Sequence, residues 1–304
     1  MTHRTLRADL LLLLAAAIWG LAFVAQKAGM DHVGPFVFNG IRFGLGTLSL
    51  VPLWLVRRRR AAGRRAASSP RTTLGAGVAI GVVLFVSASL QQIGIVHTTA
   101  GKAGFITSLY VVLVPPLAGL AGYRVGLGGW SGGVVAAVGL YLLSVNESLR
   151  ISVGDTLVLV GAFGWAAHVL LIARWSRRLD VVELALLQFA TCSVLSLAVA
   201  IPLESFGLRA ILDAGVPILY GGLASVGIAY TLQIIAQRDA QPTAAAIVLS
   251  LESVFAALAG WIIREESMSP RGILGCCLMF AAVVLSQLGR GSEMEDARAI
   301  STSR

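Results

Sequence analysis

Charge is scarce in this chain. Only 13% of its 304 residues are Asp, Glu, Lys or Arg, where a water-soluble domain carries roughly 25%. With 57% hydrophobic residues and a mean hydropathy of +0.83, the chain cannot cover a water-facing surface, so lipid must be its solvent. Acidic residues are scarcer than basic ones, 15 against 24, which leaves a net charge of +9. That excess does not point to a nucleic-acid partner. Seven arginines lie between Arg57 and Arg71, in one short loop between apolar runs. A cluster so placed is a solvated cytoplasmic loop that sets orientation, and it can touch anionic lipid as well.

Cysteine is nearly missing. Cys192, Cys276 and Cys277 all lie in apolar segments, with no CxxC pair and no Cys/His cluster at zinc spacing. No disulfide framework, metal or cofactor is indicated. A soluble module is missing too: the longest loop, near residues 57–72, is short and basic. Arg4 and Arg7 before Leu10–Leu14 imitate a signal peptide. Many apolar segments follow, so this one reads as an anchor that stays attached.

What the chain has is apolar runs. A spanning helix needs about 20 mostly apolar residues. Ten stretches qualify: 9–28, 35–56, 73–95, 99–121, 129–146, 154–174, 180–202, 215–236, 242–263 and 270–288. Pro35, Pro217, Pro242 and Pro270 stand at or near first helical positions, where a missing N–H costs little. Ser269, and Thr98 or Thr99, are candidate caps. Pro115-Pro116 should bend the fourth helix. Gly40/Gly44, Gly77/Gly81 and Gly129/Gly133 have the small-residue spacing of close helix contacts.

Two stretches resemble each other. Gln92–Gly119 is a helical hairpin around a polar corner of His97, Thr98, Thr99 and Lys102. Laid without gaps on Gln233–Gly260, it matches at seven of 28 positions, Gln92/Gln233, Ala103/Ala244 and Gly119/Gly260 among them. Trp19 falls on Trp165 at a nearly equal offset. The chain therefore reads as two copies of one unit, residues 1–148 and 149–290, followed by a polar cytoplasmic tail, 291–304. Basic residues set the topology. With a cytoplasmic N-terminus, 17 of the 24 lie inside, so both termini are expected in the cytoplasm. Five helices per copy is odd, so the second copy enters from the opposite side. The fold expected is an all-α integral membrane protein of ten transmembrane helices in two inverted five-helix repeats, an architecture of many secondary transporters.

The segments TTAGKAGFITSLYVVLVPPL at 98–117 and LESVFAALAGWIIREE at 251–266, within this layout, resemble the EamA-type branch of the drug/metabolite transporter superfamily over about residues 8–288. The resemblance implies a small-metabolite carrier of the inner membrane, often an exporter of amino acids or related compounds. It places the family's ninth-helix glutamate at Glu252, the acidic residue closing that helix at Glu265 and the late fourth-helix proline at Pro115. Arg124 stands where the family often has an acidic residue.

The residues themselves offer a candidate substrate site. Arg42 lies well inside the second helix, where a charge costs roughly 2.5–3.5 kcal/mol and should face a cavity or a partner. It could balance a substrate carboxylate or serve a structural pair. Glu252, near mid-depth, could bind a substrate amine, take up a coupling proton, or hold a neighbouring helix. Arg42 and Glu252 form the one opposite-charge pair at comparable depth. His168 lies on the face of Trp165 and could relay protons or brace structure. Gln92 and Gln233 are duplicated amides that could line a shared cavity or bridge helices. Trp19, Trp165, Tyr110 and Tyr230 could stack on an aromatic or apolar substrate, or pack helices together. Trp54, Trp130 and Trp261 lie near helix ends, as interfacial anchors do. So few buried charges favour a neutral or zwitterionic metabolite over a polyanion.

Two other readings compete. Gly129-Trp130-Ser131-Gly132-Gly133 fits G-x-S-x-G, which with His168 outlines an intramembrane serine hydrolase. A non-transporting membrane scaffold is the third.

Overall fold

The computed structural model describes residues 3–60, 69–144, 152–264 and 269–302, and among these every regular element is helical. Glu265 lies outside the described residues. Three long helices come first: α1 (His3–Gly29), α2 (Pro35–Arg60) and α3 (Pro70–Val96). A span in two pieces follows, α4 (Ala100–Ser108) and α5 (Tyr110–Leu120), then α6 (Leu127–Ser144). The second part opens with α7 (Val153–Trp175) and α8 (Val181–Leu203), and a short surface helix α9 (Leu208–Asp213). The next span is composite: α10 (Gly215–Leu219), a π-helical segment (Tyr220–Tyr230) and α11 (Thr231–Ala236). Another span in two pieces, α12 (Pro242–Leu249) and α13 (Glu252–Arg264), precedes α14 (Pro270–Thr302).

Eight of these segments are long and apolar enough to cross a membrane, and they coincide with eight of the ten stretches read from the sequence. The stretches at 129–146 and 270–288 appear as the shorter apolar helices Leu127–Leu143 and Pro270–Ser286.

Caps mark the helix starts. Ser69 accepts from Thr72 N at 3.2 Å, Thr99 (not Thr98) from Lys102 N at 3.2 Å, and Ser269 from Gly272 N at 3.1 Å. Ser152 and Asp155 form a reciprocal capping box at the start of α7. Pro115 and Pro116 do not interrupt the fourth span: α5 runs through both, and the break lies upstream at Leu109.

Helices related by the sequence repeat are themselves neighbours. The pairs α2–α8 and α6–α14 pack together, while α4 lies on α13 and α5 on α12. The contact of α1 with the π-helical span is answered by that of α7 with α3. Two end contacts show that α2 and α8 run antiparallel. Arg57 near the end of α2 pairs with Asp180, the N-cap of α8, at 2.8 Å. At the other end the Glu204 carboxylate, following α8, accepts from Phe36 N at 2.9 Å and Val37 N at 2.8 Å, supplying the free amides of α2.

Glycines allow these approaches. A Cβ on Gly275 would stand 2.5 Å from the Gly139 carbonyl, and one on Gly94 2.7 Å from that of Gly154. Five of the six expected glycines also mark close contacts: Gly40 and Gly44 face Leu197 and Ser193, Gly77 and Gly81 face Leu187 and Thr191, and Gly129 faces Thr243, while Gly133 meets Pro115 at an ordinary 3.6 Å.

Candidate functional site

The helices line a cavity with about 490 Å³ of atom-free space, its open mouth included. On α1, Trp19, Phe23 and Gln26 recur at helical spacing and share a face toward it. Trp165, His168 and Val169 do the same on α7, and Tyr230 and Gln233 at the end of the π-helical span. The two interrupted spans contribute Thr107 with Tyr110, and Leu249 with Glu252. Each of these pairs straddles its helix break. Arg42, Gln91 and Ser225 complete the wall.

The breaks at Leu109 and at Ser250-Leu251 fall on each other in the repeat alignment, so both copies interrupt the same helix at the same place. Interrupted helices inside a membrane need partners for the freed carbonyls. At the breaks, backbone N–H groups supply part of this, Val112 N donating to the Leu109 carbonyl at 3.0 Å and Ser253 N to the Ser250 carbonyl at 3.2 Å, and hydroxyls add to the second. Ser253 Oγ donates to the Ser250 carbonyl at 2.8 Å, and Ser108 Oγ approaches the same oxygen at 3.5 Å. Ser108 Oγ also donates to Glu252 Oε1 at 3.3 Å, so one hydroxyl joins the two breaks at the edge of the cavity. The Tyr110 hydroxyl lies near the same carboxylate but outside hydrogen-bond geometry.

Arg42 is 2% exposed. Its Nε donates to Asn39 Oδ1 at 3.0 Å, and the guanidinium lies 4.9 Å from the Phe43 ring centre and 5.4 Å from that of Phe38. Asn39 is held in turn by the Ala88 carbonyl at 3.2 Å. Among the described residues the ion pairs are Arg57–Asp180 and Lys102–Asp155. Arg42 and Glu252 therefore share one cavity without pairing with each other.

Tyr230 is the hub of the aromatic wall. Its ring centre is 4.7 Å from Trp19, 6.3 Å from Trp165 in a stacked arrangement, and 5.9 Å from His168 edge-on. His168 Nε2 shares a hydrogen bond with Gln188 Oε1 at 2.9 Å. Gln233 Oε1 is buried without a partner.

Every residue expected at the site lines this cavity except Gln92. Gln92 is fully buried and donates to the Gln26 carbonyl at 3.3 Å. Its neighbour Gln91 faces the cavity instead, because consecutive helix residues point about 100° apart. Phe23, Gln26, Thr107 and Ser225 were not singled out from the sequence. Phe23 and Gln26 follow Trp19 at steps of four and three, which is the signal that would have found them.

The hydrolase reading lacks its geometry. Ser131 Oγ donates to the Gly128 carbonyl at 3.4 Å in its own helix, is not part of the cavity wall, and does not meet His168, whose partner is Gln188.

The sequence model of the EamA-like transporter family matches this chain twice, over residues 6–145 and 152–288. The chain belongs to the EamA-like transporter family. It is thus a multi-pass membrane transporter of the drug/metabolite transporter superfamily. A protein of Archaeoglobus fulgidus described as an uncharacterized transporter is 31% identical over 290 residues, spanning 94% of this chain and 87% of that one. The uncharacterized transporter YoaV of Bacillus subtilis is 20% identical over 279 residues, spanning 88% of this chain and 92% of that one. A crystal structure with 17% identity superposes with a TM-score of 0.77, covering 94% of this EamA-family chain and 98% of the other, so the fold is shared.

Proposed function

We propose that this transporter carries a small zwitterionic or neutral metabolite, an amino acid or close relative, by alternating access, as an exporter of the inner membrane. One observation carries the reading: Arg42 and Glu252, of opposite charge, line one aromatic-walled cavity and do not pair. Each is costly to bury alone. A ligand that brings a carboxylate to Arg42 and an ammonium to Glu252 offsets both costs at once, and Trp19 and Tyr230 then receive its apolar part. A polyanion would find one cation in the described wall.

Alternating access rests on the repeat. The family matches twice, and the counterpart helices α2 and α8 run antiparallel, as two inverted copies require. Ten spans in two inverted five-helix units, with both termini in the cytoplasm, accommodate these facts. Two copies in opposite orientation give two gating states of nearly equal energy. Glu252 is also our candidate for carrying a coupling proton.

Counterflow in proteoliposomes tests the proposal. Liposomes preloaded with unlabelled amino acids should accumulate labelled amino acid saturably, and an unloaded control should not. Replacing Arg42 by Gln removes charge-assisted hydrogen bonds worth about 1.5–3 kcal/mol, which lowers kcat/KM by about 10- to 100-fold. Saturable counterflow of nucleotide sugars with none of amino acids would overturn the substrate class. If Glu252 carries the proton, flux driven by a pH gradient disappears in Glu252→Gln while exchange persists.

A further inference from the structure

Trp19 and Trp165 occupy equivalent places in the repeat and flank Tyr230, but their indole N–H groups are held differently. Trp19 Nε1 donates to a backbone oxygen, the Ser225 carbonyl, at 3.2 Å. Trp165 Nε1 donates to a side chain, Gln91 Oε1, at 2.9 Å. We propose that Gln91 is a positioning residue, which through the Trp165 indole sets the selectivity of the cavity for substrates bearing a planar ring. The proposal rests on the reading of this cavity as the substrate site.

The placement of Gln91 follows from α3 and α7. A Cβ on Gly164 would lie 2.2 Å from Ser87 Oγ, and one on Gly161 3.7 Å from Gln91 N. Gly164 thus leaves room for the Ser87 hydroxyl where α7 meets α3, and Gly161 lies beside the Gln91 backbone at ordinary contact distance in the same crossing. Both ends of the amide are engaged by protein. Oε1 also accepts from Thr107 Oγ1 at 3.2 Å, and Nε2 donates to Gln26 Oε1 at 3.0 Å. Gln26 is itself anchored on the Ala22 carbonyl at 3.2 Å. A relay of three helices, α1, α3 and α4, thus ends on one indole N–H, and all its members are buried. With its carbonyl oxygen shared between two protein donors, Gln91 acts on a guest through Trp165. The indole it holds is stacked on Tyr230 at an interplanar angle of 26°. A planar substrate ring reads the tilt of that wall, whereas a methyl side chain does not.

The test uses the full-length transporter in proteoliposomes with L-phenylalanine and L-alanine as probes. Gln91→Met is expected to raise KM for phenylalanine by about tenfold, the upper range for one buried neutral hydrogen bond, with a several-fold smaller rise for alanine and the loss falling on KM more than on maximal rate. Gln91→Glu, which keeps an acceptor for the indole, should recover most of the loss and guards against misfolding of the Met variant. The double variant Gln91→Met/Trp165→Phe should be no worse than Trp165→Phe alone. Trp165 fluorescence, isolated by subtracting the Trp165→Phe spectrum, should shift in Gln91→Met without any substrate. Additive losses in the double variant, an unmoved Trp165 emission, or equal losses for both probes overturn the proposal. Wild-type protein that moves neither probe, while the emission still shifts, sinks the amino-acid substrate reading and upholds the positioning of the indole by Gln91.

Discussion

A guanidinium inside a membrane protein ordinarily finds a carboxylate. Arg42 instead rests on Asn39 and between two phenylalanine rings. This arrangement holds the charge in place and leaves it without a counter-ion among the described residues. Glu252 is held as lightly, by the Ser108 hydroxyl. Ser108→Ala frees one carboxylate oxygen and removes the tie between the two helix breaks. It should cost about 1 kcal/mol of stability, read as a lower Tm in detergent, and should alter flux less than Glu252→Gln does. Residue identity made Arg42, Glu252 and the aromatics legible as candidates, because charges and indoles in apolar helices are rare enough to notice. Choosing between Gln91 and Gln92 was beyond sequence. The repeat alignment favoured Gln92, since it pairs with Gln233. The rotation of α3 about its axis decided otherwise, and packing against α1 and α7 fixes that rotation.

At the scale of elements, two interrupted spans and one π-helical span join the continuous helices α1, α2, α3 and α7 in lining the cavity. The π-helical segment places Ser225 and Tyr230 in the wall, while its counterpart stretch in α3 is regular helix. This asymmetry between the copies gives each a different set of side chains from one ancestral plan. Wider π turns occur often at functional sites. The α6–α14 pair, by contrast, contributes no cavity residue and is held by close approach. Gly275→Val would press a side chain onto the Gly139 carbonyl and the Leu143 backbone. Overpacking of this kind costs about 1–3 kcal/mol, so Tm should fall. Gly119→Ala, where nothing lies within 4 Å, should leave Tm unchanged or slightly raised. A result in which both variants behave alike would show that α6 and α14 do not meet at Gly139 and Gly275.

For the whole molecule, orientation is the testable property. In a protein freed of its native cysteines, Ser69→Cys and Asp239→Cys should react with a membrane-impermeant maleimide only from the cytoplasmic side. His97→Cys should react only from outside. Labelling of His97→Cys and Asp239→Cys, at equivalent corners of the two copies, from the same side would break the inverted arrangement.

Sequence by itself determined the solvent, the helical class, the apolar segments and the family, because each depends on composition and local order along the chain. Apolar runs must be helices in lipid, where no water can satisfy a bare backbone. Only the tertiary structure decided that Arg42 and Glu252 share a cavity without pairing, that Gln91 rather than Gln92 joins them, and that the fourth span breaks at Leu109 instead of its prolines. Those outcomes depend on helix rotation and on distances between segments far apart in sequence. Close packing among glycine-lined helices sets both.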